Sequence, residues 1–146
     1  HPPFVFGPNG ESVVIPPYYE NGEAGYRRDD FRRGYHNQVI FIDSQITEAL
    51  SKIIANSAQT PVIILQGDHG PIKIPGEKRM NILSAYLFPG AEGELYPSVT
   101  SVNNFRLVFN NYFNANLPVL PDKSYYVDIT QPHVFEEMDD PCVPSQ

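Results

Sequence analysis

The chain has 146 residues, a length that fits one domain with its own core. Its 17 acidic against 10 basic residues give a net charge of −7, which excludes a generally basic nucleic-acid-binding surface. The one cysteine, Cys142, excludes an internal disulfide framework and a multi-cysteine zinc site. No stretch reaches the roughly 18–20 apolar residues of a membrane span, nothing reads as a signal peptide, and a hydrophobic fraction of 41% is too rich for a disordered chain. The expectation is of a soluble piece of a longer protein, opening at His1 without a capping or entry segment.

Residues 1–34 read as a long irregular loop, because Pro2, Pro3, Pro8, Pro16 and Pro17 break any long regular element. Ser12 to Ile15 could form a very short strand. Arg27, Arg28, Asp29, Asp30, Arg32 and Arg33 make a mixed-charge cluster, expected to be a solvated loop with local ion pairs rather than an anion site. From residue 35 to about 56 the steps of three and four between Val39, Ile42, Ile46, Leu50, Ile53 and Ile54 predict a helix with one apolar face. Pro61 to Leu65 then places four apolar residues in a row, which predicts a strand buried on both faces. A helix feeding such a strand is the αβ half of a βαβ unit.

That strand runs into Gln66-Gly67-Asp68-His69-Gly70-Pro71. Residues 72–80 read as a loop, and Asn81 to Leu87 as a second strand stopped by Pro89-Gly90. Residues 90–99 read as a further loop, after which Thr100 or Ser101 can cap a helix from about Val102 to Phe113. Its stripe of Val102, Phe105, Phe109, Tyr112 and Phe113 is expected to pack in the core, and Pro118 and Pro121 to end the region. Ser124 to Ile129 reads as a last short strand. From His133 onward the acidic, Pro-containing tail is expected to be irregular, peripheral and mobile.

Ligands of open α/β sheets sit at the carboxyl ends of strands, which draws attention to the QGDHGP turn. An adjacent carboxylate and imidazole can both face one cation only where the chain leaves the regular strand, and Gly67 and Gly70 permit that turn. Oxygen and nitrogen ligands suit Zn²⁺ or Mn²⁺ better than Ca²⁺. The alternative is a turn aspartate bonded to its own backbone beside an exposed histidine. His1, held by two prolines, could contact an oxyanion or a metal, or be an ordinary terminal residue. His36 and His133 carry no site signal. Ser44, Ser98, Thr100 and Ser101 lack a nucleophile-elbow context, and Cys142 sits among acids that oppose its ionisation.

Taken together, HPPF at the start, Tyr35 to Val39 of the predicted helix, PVIILQGDHGP, LYPSVTSVNNFRLVFNNYF and LPDKSYY resemble the C-terminal half of bacterial sulfatase-like hydrolase/transferase domains. These belong to the alkaline phosphatase superfamily, with lipoteichoic-acid synthases and phosphoethanolamine transferases. The resemblance runs from His1 to about Tyr126. It implies part of an α/β/α sandwich with a mixed sheet over residues 1–130, followed by the tail at 131–146. It also implies that Asp68 and His69 ligate a catalytic Mn²⁺ or Zn²⁺, and that His1 contacts the transferred phosphoryl or sulfuryl group. The nucleophile and an acidic ligand of this family come from its N-terminal half, and the chain contains neither segment. The resemblance therefore implies a fragment inactive without that half, taking a phosphate- or sulfate-ester substrate when completed. It also implies a parent tethered to the inner membrane with its catalytic domain outside the cytoplasm. An open sheet edge would favour self-association. The alternative function is a non-catalytic binding or assembly module that keeps the scaffold.

Overall fold

The computed structural model describes residues 3–14, 28–70, 81–128 and 130–138. It is a mixed α/β chain that divides into two compact units, His1–Ala58 and Gln59–Gln146.

In the first unit, helix α1 spans Arg28–Asn56, so it starts seven residues earlier than the periodicity predicts. Asp29 and Asp30 occupy its first turn, where carboxylates oppose the positive end of the helix dipole. The charge cluster is thus helical from Arg28 onward rather than a loop. Its expected ion pair is present, with Arg33 donating to Asp30 at 2.5 Å; Arg27 lies outside the described residues. The face of α1 that packs is also a different one. Phe31, Tyr35, Gln38 and Phe41 meet the segment 3–14, while Val39, Ile42, Ile53 and Ile54 are exposed. Phe4 sits edge-on to Phe31 with ring centroids 5.2 Å apart. The Val5 amide donates to Gln38 Oε1 at 2.9 Å, and Phe6 packs on Phe41. The aromatic rings win because each buries more apolar surface than an aliphatic side chain and gains edge contacts besides. Segment 3–14 folds back on itself through a turn at Gly7–Gly10, with Gly10 at φ +83° and a Phe6–Ser12 bridge. Ser12 makes an isolated bridge rather than opening a strand, and Ile15 lies outside the described residues.

The second unit carries the strands. β1, Ile63–Gln66, pairs antiparallel with β2, Ser84–Leu87, in the register Ile63↔Leu87 to Gln66↔Ser84. The predicted βαβ arrangement would require parallel neighbours joined by a crossover. Among the described residues the neighbour of β1 is β2, which runs antiparallel to it, and the Gly67 amide extends the ladder by donating to Leu83 O at 2.9 Å. β1 is half-buried at all four positions rather than enclosed on both faces.

Leu87 leads into Phe88, which is fully buried. Phe88, Ala91 and Leu107 form the centre of this unit, with Ile64, Tyr86, Leu95 and Tyr112 packed around them. The segment after Gly90 includes a short 3-10 turn, Glu92–Glu94. Helix α2, Ser101–Phe113, follows within one residue of its expected start. It ends because Asn114 adopts a left-handed conformation at φ 52°, a common helix stop, before either proline is reached.

The aromatic stripe of α2 corrects the expectation drawn from it. Leu107 and Tyr112 turn inward, but Phe105 and Phe113 are 63% and 68% exposed, with Val102 and Phe109 exposed beside them. The rings touch one another along the helix, Phe105–Phe109 at 6.3 Å and Phe109–Phe113 at 5.8 Å. Two asparagines hold the opposite side. Asn110 bonds both the amide and the carbonyl of Leu117, and Asn103 does the same to Leu120. Spaced seven apart, they lie on one helix face and clamp the extended segment 117–120 along it.

β3, Ser124–Tyr126, pairs antiparallel with β4, Glu136–Met138. The tail is therefore not wholly irregular. Asp128 accepts from the amide and hydroxyl of Thr130, turning the chain back, and Lys123 reaches Glu137 at 2.8 Å. No helix among the described residues is long and apolar enough to cross a membrane.

Candidate functional site

Asp68 and His69 stand two and three residues beyond the end of β1, where the side chains no longer alternate across a sheet. Asp68 is 90% exposed at its side chain and His69 36%. The His69 amide donates to Asp68 Oδ1 at 3.0 Å, which fixes the carboxylate over the turn. His69 Nδ1 lies 2.7 Å from the carbonyl of Gly70. A carbonyl can only accept, so Nδ1 carries the proton in the neutral ring and the lone pair sits on Nε2. Nε2 is 3.7 Å from Asp68 Oδ2.

This arrangement fits a divalent cation as part of a set. Ligand distances of roughly 2.0–2.2 Å let one cation touch both atoms, because their separation is less than twice that distance. The backbone carbonyl on the far nitrogen is the usual way a ligating histidine is oriented. Both residues also adopt the turn geometry of the plainer alternative, an aspartate bonded to the next amide. Among the described residues no third histidine, cysteine, aspartate or glutamate joins them. His1, expected to contact the transferred group, lies outside the described residues, as does Cys142. His36 is exposed on α1 and His133 is exposed before β4.

Two polar networks of the second unit carry no motif in the sequence. Gln66, the last residue of β1, donates through Nε2 to Ser101 Oγ at the start of α2 and accepts at Oε1 from Asn104 Nδ2 at 2.8 Å. Asn104 is 2% exposed, and its Oδ1 has no partner among the described residues. The second network centres on Asp122. It accepts from Tyr96 OH at 2.5 Å, the Thr100 amide at 2.7 Å, the Thr100 hydroxyl at 2.6 Å and Asn103 Nδ2 at 3.1 Å. Thr100 precedes α2 as expected of a cap, but its hydroxyl bonds Asp122 rather than the helix amides. Burial of Asp122 works to raise its pKa, and the bonds from Thr100, Tyr96 and Asn103 outweigh it and hold the carboxyl below its ordinary value. Tyr96 is pushed up to about 12, by burial first and then by its bond to Asp122. The one signal for these residues was polarity out of place: Asn103 and Asn104 fall at the start of a helix rich in apolar residues, where side-chain amides need partners.

No family model, curated protein or solved structure matches the chain.

Proposed function

We propose that this chain is the C-terminal portion of a metal-dependent hydrolase or transferase acting on phosphate or sulfate esters. Asp68 and His69 supply two ligands to a Mn²⁺ or Zn²⁺ site, and His1 contacts the transferred group. The observation that carries the reading is the turn itself: a carboxylate oxygen and an imidazole nitrogen 3.7 Å apart, just past the carboxyl end of a strand. When bound, the cation neutralises charge on the transferred group and activates the nucleophile. The nucleophile and the remaining ligands belong to the N-terminal half that the sequence resemblance implies, and the alkaline-phosphatase-like sandwich is completed only with it. The parent protein is an inner-membrane enzyme with this domain outside the cytoplasm.

Calorimetric titration with Mn²⁺ and with Zn²⁺, on the native chain and on His69→Ala, tests the reading. Binding that is lost in the variant is the expected result. Binding unchanged in the variant, or none in the native chain, would remove the assignment.

A second reading, a binding or assembly module without catalysis, has its own support in the exposed Phe105, Phe109 and Phe113 of α2, a run of rings rarely left uncovered on a monomer. Self-association through this stripe or through a sheet edge, seen as a concentration-dependent sedimentation coefficient in a chain that binds no metal, would select that reading.

A further inference from the structure

We propose that Gln66 is a positioning residue for the Asp68–His69 turn, latching the end of β1 to the first turn of α2 through Ser101 and Asn104. The inference rests on the reading of that turn as a metal-ligand pair.

The turn has little to hold it from its own composition. Asp68 and His69 are exposed, and the contacts within the turn are short-range, to the next amide and the next carbonyl. Among the described residues, what anchors it is the strand end two residues earlier. On one side Gln66 pairs with Ser84 and Gly67 bonds to Leu83, so β2 holds the backbone. On the other side the Gln66 side chain spans to α2, where its amide group both donates, to Ser101, and accepts, from Asn104.

The Asn104 contact gives this latch its strength. Asn104 is buried, its Oδ1 has no partner among the described residues, and its Nδ2 bonds Gln66. Removing the Gln66 amide would leave the whole Asn104 side chain buried without its bond to the strand, a state proteins rarely tolerate. The local structure would then shift to bring water to Asn104, and the end of β1, which this side chain ties to α2, would shift with it. A polar residue at this strand position is otherwise unexplained, since its three predecessors are all apolar. Residues that orient metal ligands without touching the metal commonly alter affinity by 10–100-fold.

Three variants of the full chain test the proposal: Gln66→Leu, which keeps the size and loses both bonds; Gln66→Glu, which keeps two oxygens able to accept from Asn104 and Ser101; and Asn110→Leu, which loosens α2 at its far end. The readouts are the His69 ring resonances in a ¹H–¹³C spectrum without metal, and the Mn²⁺ and Zn²⁺ affinities by calorimetry. Gln66→Leu is expected to shift or broaden the His69 resonances and to weaken metal binding at least tenfold. Gln66→Glu is expected to restore the resonances. Asn110→Leu is expected to leave them in place even where it lowers thermal stability as much. Unchanged His69 resonances in Gln66→Leu, or equal shifts in Asn110→Leu, overturn the positioning role. If the native chain binds no metal, the ligand assignment of Asp68 and His69 fails, and the ring resonances still decide whether Gln66 holds the turn.

Discussion

Loss of the Asp122 carboxylate should destabilise the second unit. Its carboxylate takes four hydrogen bonds from Tyr96, Thr100 and Asn103, and so ties the segment before β3 to the entry of α2. Asp122→Ala leaves these donors without their acceptor. A bond to a charged group contributes about 1.5–3 kcal/mol and a neutral one about 1 kcal/mol, but the four share one acceptor and are not additive. Asn103 Nδ2 also keeps Leu120 O at 2.8 Å, and the half-buried site admits water, so a loss of about 2–3 kcal/mol is expected at pH 7. The dependence on pH follows from the direction of the shift. The folded carboxyl titrates below its ordinary value of 3.8, so the stabilisation is complete above that value and disappears as pH falls through the lower, folded one. The difference between native chain and variant should therefore shrink in strong acid. Urea unfolding followed by the amide signals of α2, at pH 7 and near pH 2.5, measures both quantities. A difference below about 0.5 kcal/mol at pH 7 would refute the latch, and one that does not shrink in acid would show that the charge on Asp122 is not what holds it.

Gly34→Ala should destabilise the first unit although alanine is the better helix former by about 1 kcal/mol, because a Cβ there would lie 2.4 Å from Cδ2 and 2.9 Å from Cβ of the buried Phe4. Overpacking of this kind costs about 1–3 kcal/mol, so a lowered melting temperature is expected, and a raised one would mean that Phe4 moves aside freely. Phe105→Ser should change stability by no more than about 0.5 kcal/mol, since the ring is 63% exposed. A loss of about 3–5 kcal/mol in thermal or urea unfolding would instead mean that the ring is buried in solution.

The sequence shows element types more clearly than it shows faces, and α1 explains why. Its apolar residues Val39, Ile42, Ile46, Leu50, Ile53 and Ile54 repeat at helical spacing, which is enough to place a helix, and Asn56 is its last residue as expected. Periodicity does not say which stripe finds a partner. The partner here is a proline-containing segment far along the chain, whose Phe4 and Phe6 select Phe31, Tyr35 and Phe41 instead. The early start of α1 does not show in the periodicity for a related reason: Arg28 to Gly34 is polar and carries a glycine, so its helical stretch has little apolar repeat, and it packs through the buried aromatic Phe31, under Phe4. In α2 the same logic works in reverse. Five apolar side chains at helical spacing suggest a buried stripe, yet of these it is Tyr112 that packs, beside Leu107, while another packed face carries Asn103 with Asn110. Hydropathy alone ranks asparagine as a surface residue. An asparagine that meets both the amide and the carbonyl of one extended residue replaces the hydrogen bonds of a neighbouring strand, and burial then becomes favourable.

The Asp68–His69 turn was legible because glycines on both sides of a carboxylate and an imidazole, directly after an apolar run, form a local pattern. The residues that secure it were not, because Gln66, Ser101 and Asn104 are separated by up to 38 positions and meet only through the fold. That difference has a physical basis. A ligand pair needs its two side chains on one short turn, which a few consecutive residues specify. Holding the turn still requires a second element, and its address is written in long-range packing around Phe88 and Leu107, the same packing that sets α2 against β1 through Ile64.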